Sequence, residues 1–346
     1  MHSRHALTRL LLILLSCIII LSIEKLYAAQ RKAIDVVGQS TTKYDVLLVY
    51  VYADTHPYAH GNLEYFIRTA VRENDGANYF IIIQELNNKS RDDKRFPMLP
   101  LNARYVYHEN KCFDLGTVGW FLRSRFATTL TNNIVSHDKL KEAELKISSY
   151  KYFIFMNSSI RGPFFPPYYF ALLRTYQSET SKLFYWYSVF TQRLKNKVKL
   201  VGCTISCEIS PHVQSYLIVT DLAGMLLLLN PKDGKDVFGC YNTLWDVTVN
   251  NELGISARIL NFGFWIDSLQ TKYQGIDFSS IENRNCNAGK NPYFDNNVDG
   301  ITLDPYEVVF VKYNYKNYRQ AADRAGVYQN WTLRLASAPQ QVSSSG

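Results

Sequence analysis

Five apolar residues in a row, Tyr152-Phe-Ile-Phe-Met156, run straight into Asn157-Ser-Ser159 and then into the break Gly162-Pro163. Such a run is too continuous for a strand with one wet face and too short for a helix. It predicts a buried parallel-type strand covered on both faces. The small polar residues stand at its carboxyl end, where open α/β sheets bind ligands, and the Gly-Pro pair fixes the turn that follows. Asn157, Ser158, Ser159 and Arg161 are therefore candidates for the wall of a site. The same residues also suit a capped turn that binds nothing.

Two similar runs precede it. Tyr44 to Tyr52 and Ala77 to Leu86 read as buried strands, and between them Asn62 to Arg72 carries Leu63, Phe66, Ile67 and Ala70 at helical spacing, with Asn62 as its cap. That is a β-α-β unit, which implies a right-handed crossover and a parallel pair. Ala103 to His108 is a third strand, and Asp114 is placed to cap a helix running to about Leu130. In the second half, Phe184 to Leu194 reads as an aromatic-faced helix, and Val198 to Ile205 and Val213 to Thr220 as strands joined by a turn at Pro211-His212. A short helix follows at Ala223 to Leu229, then a long helical pattern from Tyr241 to Asn261. Asn283 to Gly300 reads as a loop and Glu307 to Tyr313 as a last strand. Strands alternating with helices define a doubly wound, mostly parallel α/β sheet with helices on both faces.

The amino-terminal end has a different character. Leu10 to Ile23 is an apolar or small-residue run flanked by Arg4, Arg9 and Glu24-Lys25. It reads as an uncleaved signal anchor, with residues 1–9 cytoplasmic, 10–26 spanning the membrane and 27–43 a stem. A cleaved secretory signal is the alternative, although cleavage after Ala28 or Ala29 would set Leu26 or Tyr27 at the third position back. The domain then occupies 44–335, and 336–346 is a disordered tail. Either reading puts the domain in an oxidising compartment, where Cys112, Cys203, Cys207, Cys240 and Cys286 can form disulfides with one left over; spacing does not fix the pairing. Asn88-Lys-Ser90 and Asn330-Trp-Thr332 match the glycosylation sequon, as does Asn157-Ser-Ser159 in a poorer place.

The formal charge of +8 is half concentrated in the first 32 residues, where five basic residues face one Glu. The remainder suits a small anionic ligand, and no Lys/Arg run interleaved with aromatics points to nucleic acid.

Three stretches in order, Asn110-Lys-Cys-Phe-Asp-Leu-Gly116, Tyr152 to Ser159 and Glu252-Leu-Gly-Ile-Ser256-Ala-Arg258-Ile-Leu-Asn-Phe-Gly263, resemble the GT-A nucleotide-sugar glycosyltransferases, particularly family 2. Asn157 to Pro163, His212-Val-Gln-Ser-Tyr216 and Pro305-Tyr-Glu-Val-Val-Phe-Val-Lys312 are similar to rhamnan-synthesis-F-like polysaccharide biosynthesis proteins. The resemblance spans Tyr44 to Lys312 and implies a GT-A-like fold, a nucleotide-sugar donor, a glycan acceptor and a type II protein of the Golgi or endoplasmic reticulum membrane. It implies a general base at Glu252 and a nucleotide contact at Asp54. By position, Asp246 is the reserve base, and Asn110, Asp114, Asn157, Ser158, Ser159, Arg161, His212, Gln214 and Ser215 are donor or substrate candidates, though each also suits a structural role such as a cap or a loop bond. The resemblance further implies a manganese or magnesium ion on an Asp-x-Asp motif, but the chain contains no Asp-x-Asp, and Asn157-Ser-Ser159 stands in its place. Amide and hydroxyl groups hold a hard dication poorly, so Arg161 is the expected source of positive charge. Where the family match fails at this motif, a catalytically silent relative that binds glycan or scaffolds an enzyme complex is the competing expectation.

Overall fold

The computed structural model describes residues 44–85, 95–130, 147–169, 172–173, 175, 184–230, 235–314 and 319–337. The anchor, the stem, the Asn88 sequon and residues 338–346 lie outside them. No described helix is long and apolar enough to cross a membrane.

The protein is α/β. Seven strands form one sheet in the order β10-β6-β9-β4-β1-β2-β3: β1 (Val46–Ala53), β2 (Ala77–Glu85), β3 (Ala103–Glu109), β4 (Tyr152–Asn157), β6 (Val198–Gly202), β9 (Leu217–Asp221) and β10 (Trp265–Ser268). All neighbours are parallel except at β9, which runs antiparallel to both β4 and β6. The unbroken apolar runs have the expected cause, because alternate residues of β1 enter two separate cores. Val46, Leu48 and Tyr50 pack on one face with Leu63, Phe66 and Ala70 of α1 (Ala59–Ala70). Leu47, Val49 and Val51 pack on the other with Leu115, Val118 and Phe121 of α2 (Phe113–Leu130). The second face also receives Met225 of α3 (Leu222–Leu229) and Ile255 and Ile259 of α4 (Leu253–Asn261), and the first face receives Ala321 and Ala325 of α5 (Arg319–Ser337).

Several boundaries depart from the sequence reading, each for a local reason. Asn62 is not a cap but a fully buried residue inside α1. Its amide donates to the Ser158 and Tyr313 carbonyls at 2.8 and 3.2 Å, bonds that a solvated cap could not make. The region expected as two long strands around Pro211-His212 breaks into β6, a two-residue hairpin of β7 (Ile205–Ser206) and β8 (His212–Val213), and β9. Within Phe184 to Leu194 only Ser188–Thr191 is helical. The expected last strand is a helical turn, Pro305–Val308, started by the Asp304 cap, and then β11 (Val311–Lys312) paired antiparallel to β5 (Ile160–Arg161). Gly162 permits that pairing, since a Cβ there would lie 2.4 Å from the Val309 carbonyl oxygen. At the carboxyl terminus, α5 continues to Ser337, two residues past the predicted end of the domain.

Disulfides join Cys112 to Cys240 and Cys207 to Cys286, leaving Cys203 as a buried thiol that burial pushes far above its ordinary titration range.

Candidate functional site

The long helical pattern after Tyr241 forms as a continuous helix with a fault in it. Thr243 caps Leu244–Asp246, Val247–Glu252 is π-helical, and α4 follows. A π segment accommodates one extra residue in the turn and is frequently found at functional sites. Here it separates two neighbours of opposite fate. Asn251 is fully buried, and its amide donates to the Val237 and Gly239 carbonyls at 2.7 and 3.2 Å. Glu252 instead faces a cleft of about 580 Å³. Gly239 adjoins Cys240, whose disulfide leads to Cys112, two residues from Asp114, so the helix fault and the start of α2 are tied together.

Glu252 is half-buried, with the Ser215 hydroxyl and the charges of Asp114 and Lys312 near enough to influence its carboxyl. Burial pushes its carboxyl above its usual 4.5, the Asp114 carboxylate adds to this, and Lys312 and Ser215 oppose it. The Lys312 ammonium is pulled below its usual 10.5 by burial, while Glu252 and Asp114 hold it up. Its Nζ also lies 5.4 Å from the ring centre of Tyr216 and 5.7 Å from that of Tyr293. Glu252, Asp114 and Lys312 thus lie within electrostatic reach of one another near the carboxyl end of β4, because β11 brings Lys312 beside Ile160, the first residue of β5.

Asn157 belongs to the same group. Its Nδ2 donates to Asp114 Oδ2 at 2.6 Å, and its Oδ1 accepts from the Ser159 backbone at 3.0 Å and the Ser159 hydroxyl at 2.5 Å. His212, Gln214 and Ser215 line the cleft with Glu252. His212 is buried, with Nδ1 2.8 Å from the Ser210 carbonyl, and burial lowers its pKa. Gln214 is held by Thr204 and Asn291 at 2.7 and 2.9 Å. The Ser256 hydroxyl accepts from the Val213 backbone at 2.9 Å and so fixes the β7–β8 hairpin to α4.

Other candidates are placed differently. Arg161 is buried between Asn62 and Gln329, with hydrogen bonds of 2.8 and 2.9 Å and its guanidinium 3.7 Å from the Tyr313 ring centre. That guanidinium joins α1 to α5, so the cation expected from Arg161 is supplied to the cleft by Lys312 instead. Ser158 bonds both the N–H and the carbonyl of Ala53, stitching β4 to β1. Asp246 exchanges hydrogen bonds with Thr243 across a helix start and does not line the cleft. Asp54 lies exposed just after β1, and Asn110 just after β3, its N–H donating to the Glu85 carbonyl at 3.2 Å.

A divalent cation requires several free oxygen ligands. The end of β4 offers Asn157 and Ser159 bonded to each other and one Asp114 oxygen already engaged by Asn157. No cluster of three or more His, Cys, Asp or Glu side chains able to hold a metal occurs among the described residues. The groups present fit an ammonium better than a dication. In the sequence Lys312 shows itself only as a lone charge closing the apolar run Val308-Val-Phe-Val311, which carries no sign of a place in the cleft.

Comparison with family models finds no match to this chain, and comparison with curated proteins finds none either.

Proposed function

We propose that the domain is a glycosyltransferase of GT-A type that moves a sugar from a nucleotide-diphosphate donor to a glycan acceptor, with inversion. The observation that carries this reading is Glu252, a carboxylate of raised pKa in a cleft at the carboxyl edge of the sheet that Lys312 also lines. Glu252 takes the proton of an acceptor hydroxyl as its oxygen attacks the anomeric carbon. The bond from that carbon to the diphosphate oxygen breaks on the opposite face, and Lys312 offsets the charge that develops on the leaving group. Asp114, oriented by Asn157, keeps Lys312 charged and raises the basicity of Glu252. The mostly parallel sheet with one reversed strand is compatible with the GT-A resemblance. Two disulfides agree with a lumenal domain, which the anchor reading of residues 10–26 would hold at the Golgi or endoplasmic reticulum membrane. A second reading, a catalytically silent glycan-binding relative, draws support from the engaged Asn157 and Ser159 where the resembled family carries its metal motif.

Nucleotide diphosphate release, measured over a panel of nucleotide sugars with and without glycan acceptors, separates the two. Acceptor-dependent release from one donor is expected. No release from any donor, by a folded protein that binds glycan, would establish the second reading.

A further inference from the structure

Leu244 and Trp245 are 68% and 64% exposed, and Ile209 is 66% exposed, yet all three line the mouth of the same cleft as Glu252. Large exposed apolar side chains on the rim of a polar cleft mark a binding surface. Trp245, Thr248 and Glu252 come from one continuous helical stretch, and all three line the cleft. Glu252 comes seven positions after Trp245, a backbone rise of roughly 10 Å at α-helical pitch and somewhat less through the π segment, on the order of the reach of two linked sugar rings.

The remaining walls narrow the chemistry. The deeper wall carries His212, Gln214 and Ser215, and Glu208 holds Asn291 at 2.8 Å beside them. Amides, hydroxyls and carboxylates of this kind pair with a ligand rich in hydroxyls. The only lysine or arginine among the described lining residues is Lys312, and the proposed transfer commits it to the diphosphate of the donor. A chain bearing carboxylates or sulfates would therefore meet Glu208 and Glu252 uncompensated. An apolar peptide would satisfy Trp245 and leave the polar wall unpaired.

We infer that the rim from Trp245 to Glu252 is an acceptor subsite for a neutral oligosaccharide, whose apolar ring face stacks on the Trp245 indole one sugar outward from the reacting hydroxyl. The inference rests on the glycosyltransferase reading for the role of Glu252, but sugar binding at Trp245 does not need turnover. An indole presents a wide, rigid apolar face at low entropic cost, which suits a sugar ring with hydroxyls at its edge.

The test is binding without donor. The full chain is titrated with neutral gluco-, manno- and galacto-oligosaccharides of one to four sugars and with uronic-acid counterparts, followed by calorimetry and tryptophan fluorescence. Neutral chains of two or more sugars are expected to bind more tightly than single sugars. Trp245→Ala is expected to weaken them about tenfold and Trp245→Tyr to restore most of the loss. The exposed position keeps both variants folded, which circular dichroism checks. Equal binding by Trp245→Ala, tighter binding of the uronic-acid chains, or no binding of any chain by the unaltered protein each overturns the inference. If neutral chains bind through Trp245 but no donor is turned over, the transfer reaction falls and the subsite stands. If donor is turned over and Trp245→Ala changes nothing, the reverse holds.

Discussion

Asn157 donates a 2.6 Å hydrogen bond to the Asp114 carboxylate, so the end of the central strand and the first turn of α2 are held together by an amide. The pairing works because only one partner is charged. Asn157→Asp would set two carboxylates at that distance, and one of them would be forced to keep a proton or repel its neighbour. The expected outcome is a loss of about 1–3 kcal/mol of stability at neutral pH. Thermal unfolding at pH 7 and pH 4 checks it, since the loss should shrink once a carboxyl is protonated. An unchanged melting temperature at pH 7 would mean that the two groups are not in contact.

Glu252 makes the strongest demand on the enzyme reading. Its carboxyl is raised above 4.5, so the base form is lost as pH falls through a value higher than that of an ordinary glutamate. The rate should show an acid limb in that raised range. Glu252→Gln keeps the shape and removes the proton acceptor, so turnover should fall by about 100-fold or more while donor affinity holds. A full pH–rate profile of both proteins checks this. Near-normal turnover by the variant would take Glu252 out of the base role.

Lys312 predicts the opposite limb. Its ammonium titrates below 10.5, so the rate should decline on the alkaline side as the proton is lost. Lys312→Met removes that limb and also one of the groups holding the Glu252 carboxyl down, so the acid limb should move further up in pH. Donor affinity should weaken, and activity of the unaltered protein should survive EDTA. Complete loss with EDTA, restored by manganese, would replace Lys312 by a metal in this role.

Asp246 should behave as a cap partner. Thr243→Ala removes the hydroxyl that accepts from the Asp246 N–H at 3.1 Å and donates to its carboxylate at 2.6 Å, a change expected to cost about 1 kcal/mol. Chemical denaturation measures that loss, and Asp246→Asn should leave turnover within a few-fold of normal. A large loss of rate in Asp246→Asn would reinstate it as a catalytic acid or base.

The strands of the sheet were legible because their apolar runs report burial on both faces, as at Val46 to Val51, and periodicity needs no knowledge of distant residues. Asn62 shows the limit of such reading. An Asn before an apolar helical pattern looks like a cap, and only the Ser158 and Tyr313 carbonyls, remote in sequence, explain why it is buried instead. Arg161 misled for the same reason, since its partners Asn62 and Gln329 lie far along the chain on α1 and α5. The two-residue pairing of β11 with β5 left no run long enough to register, so Lys312 stayed unassigned. Glu252 could be named from the motif order, but the π turn that separates its direction from that of Asn251 has no signature in residue type.

The two disulfides interleave along the chain: Cys207 lies within the span closed by Cys112 and Cys240, and its partner Cys286 lies outside it. A single cut of the backbone anywhere between Cys112 and Cys286 therefore leaves its two pieces joined by at least one bridge. The cut protein keeps the start of α2, the β7–β8 hairpin and the helix bearing Glu252 in one covalent body, so a protease acting there nicks the molecule without releasing a fragment until a reductant arrives.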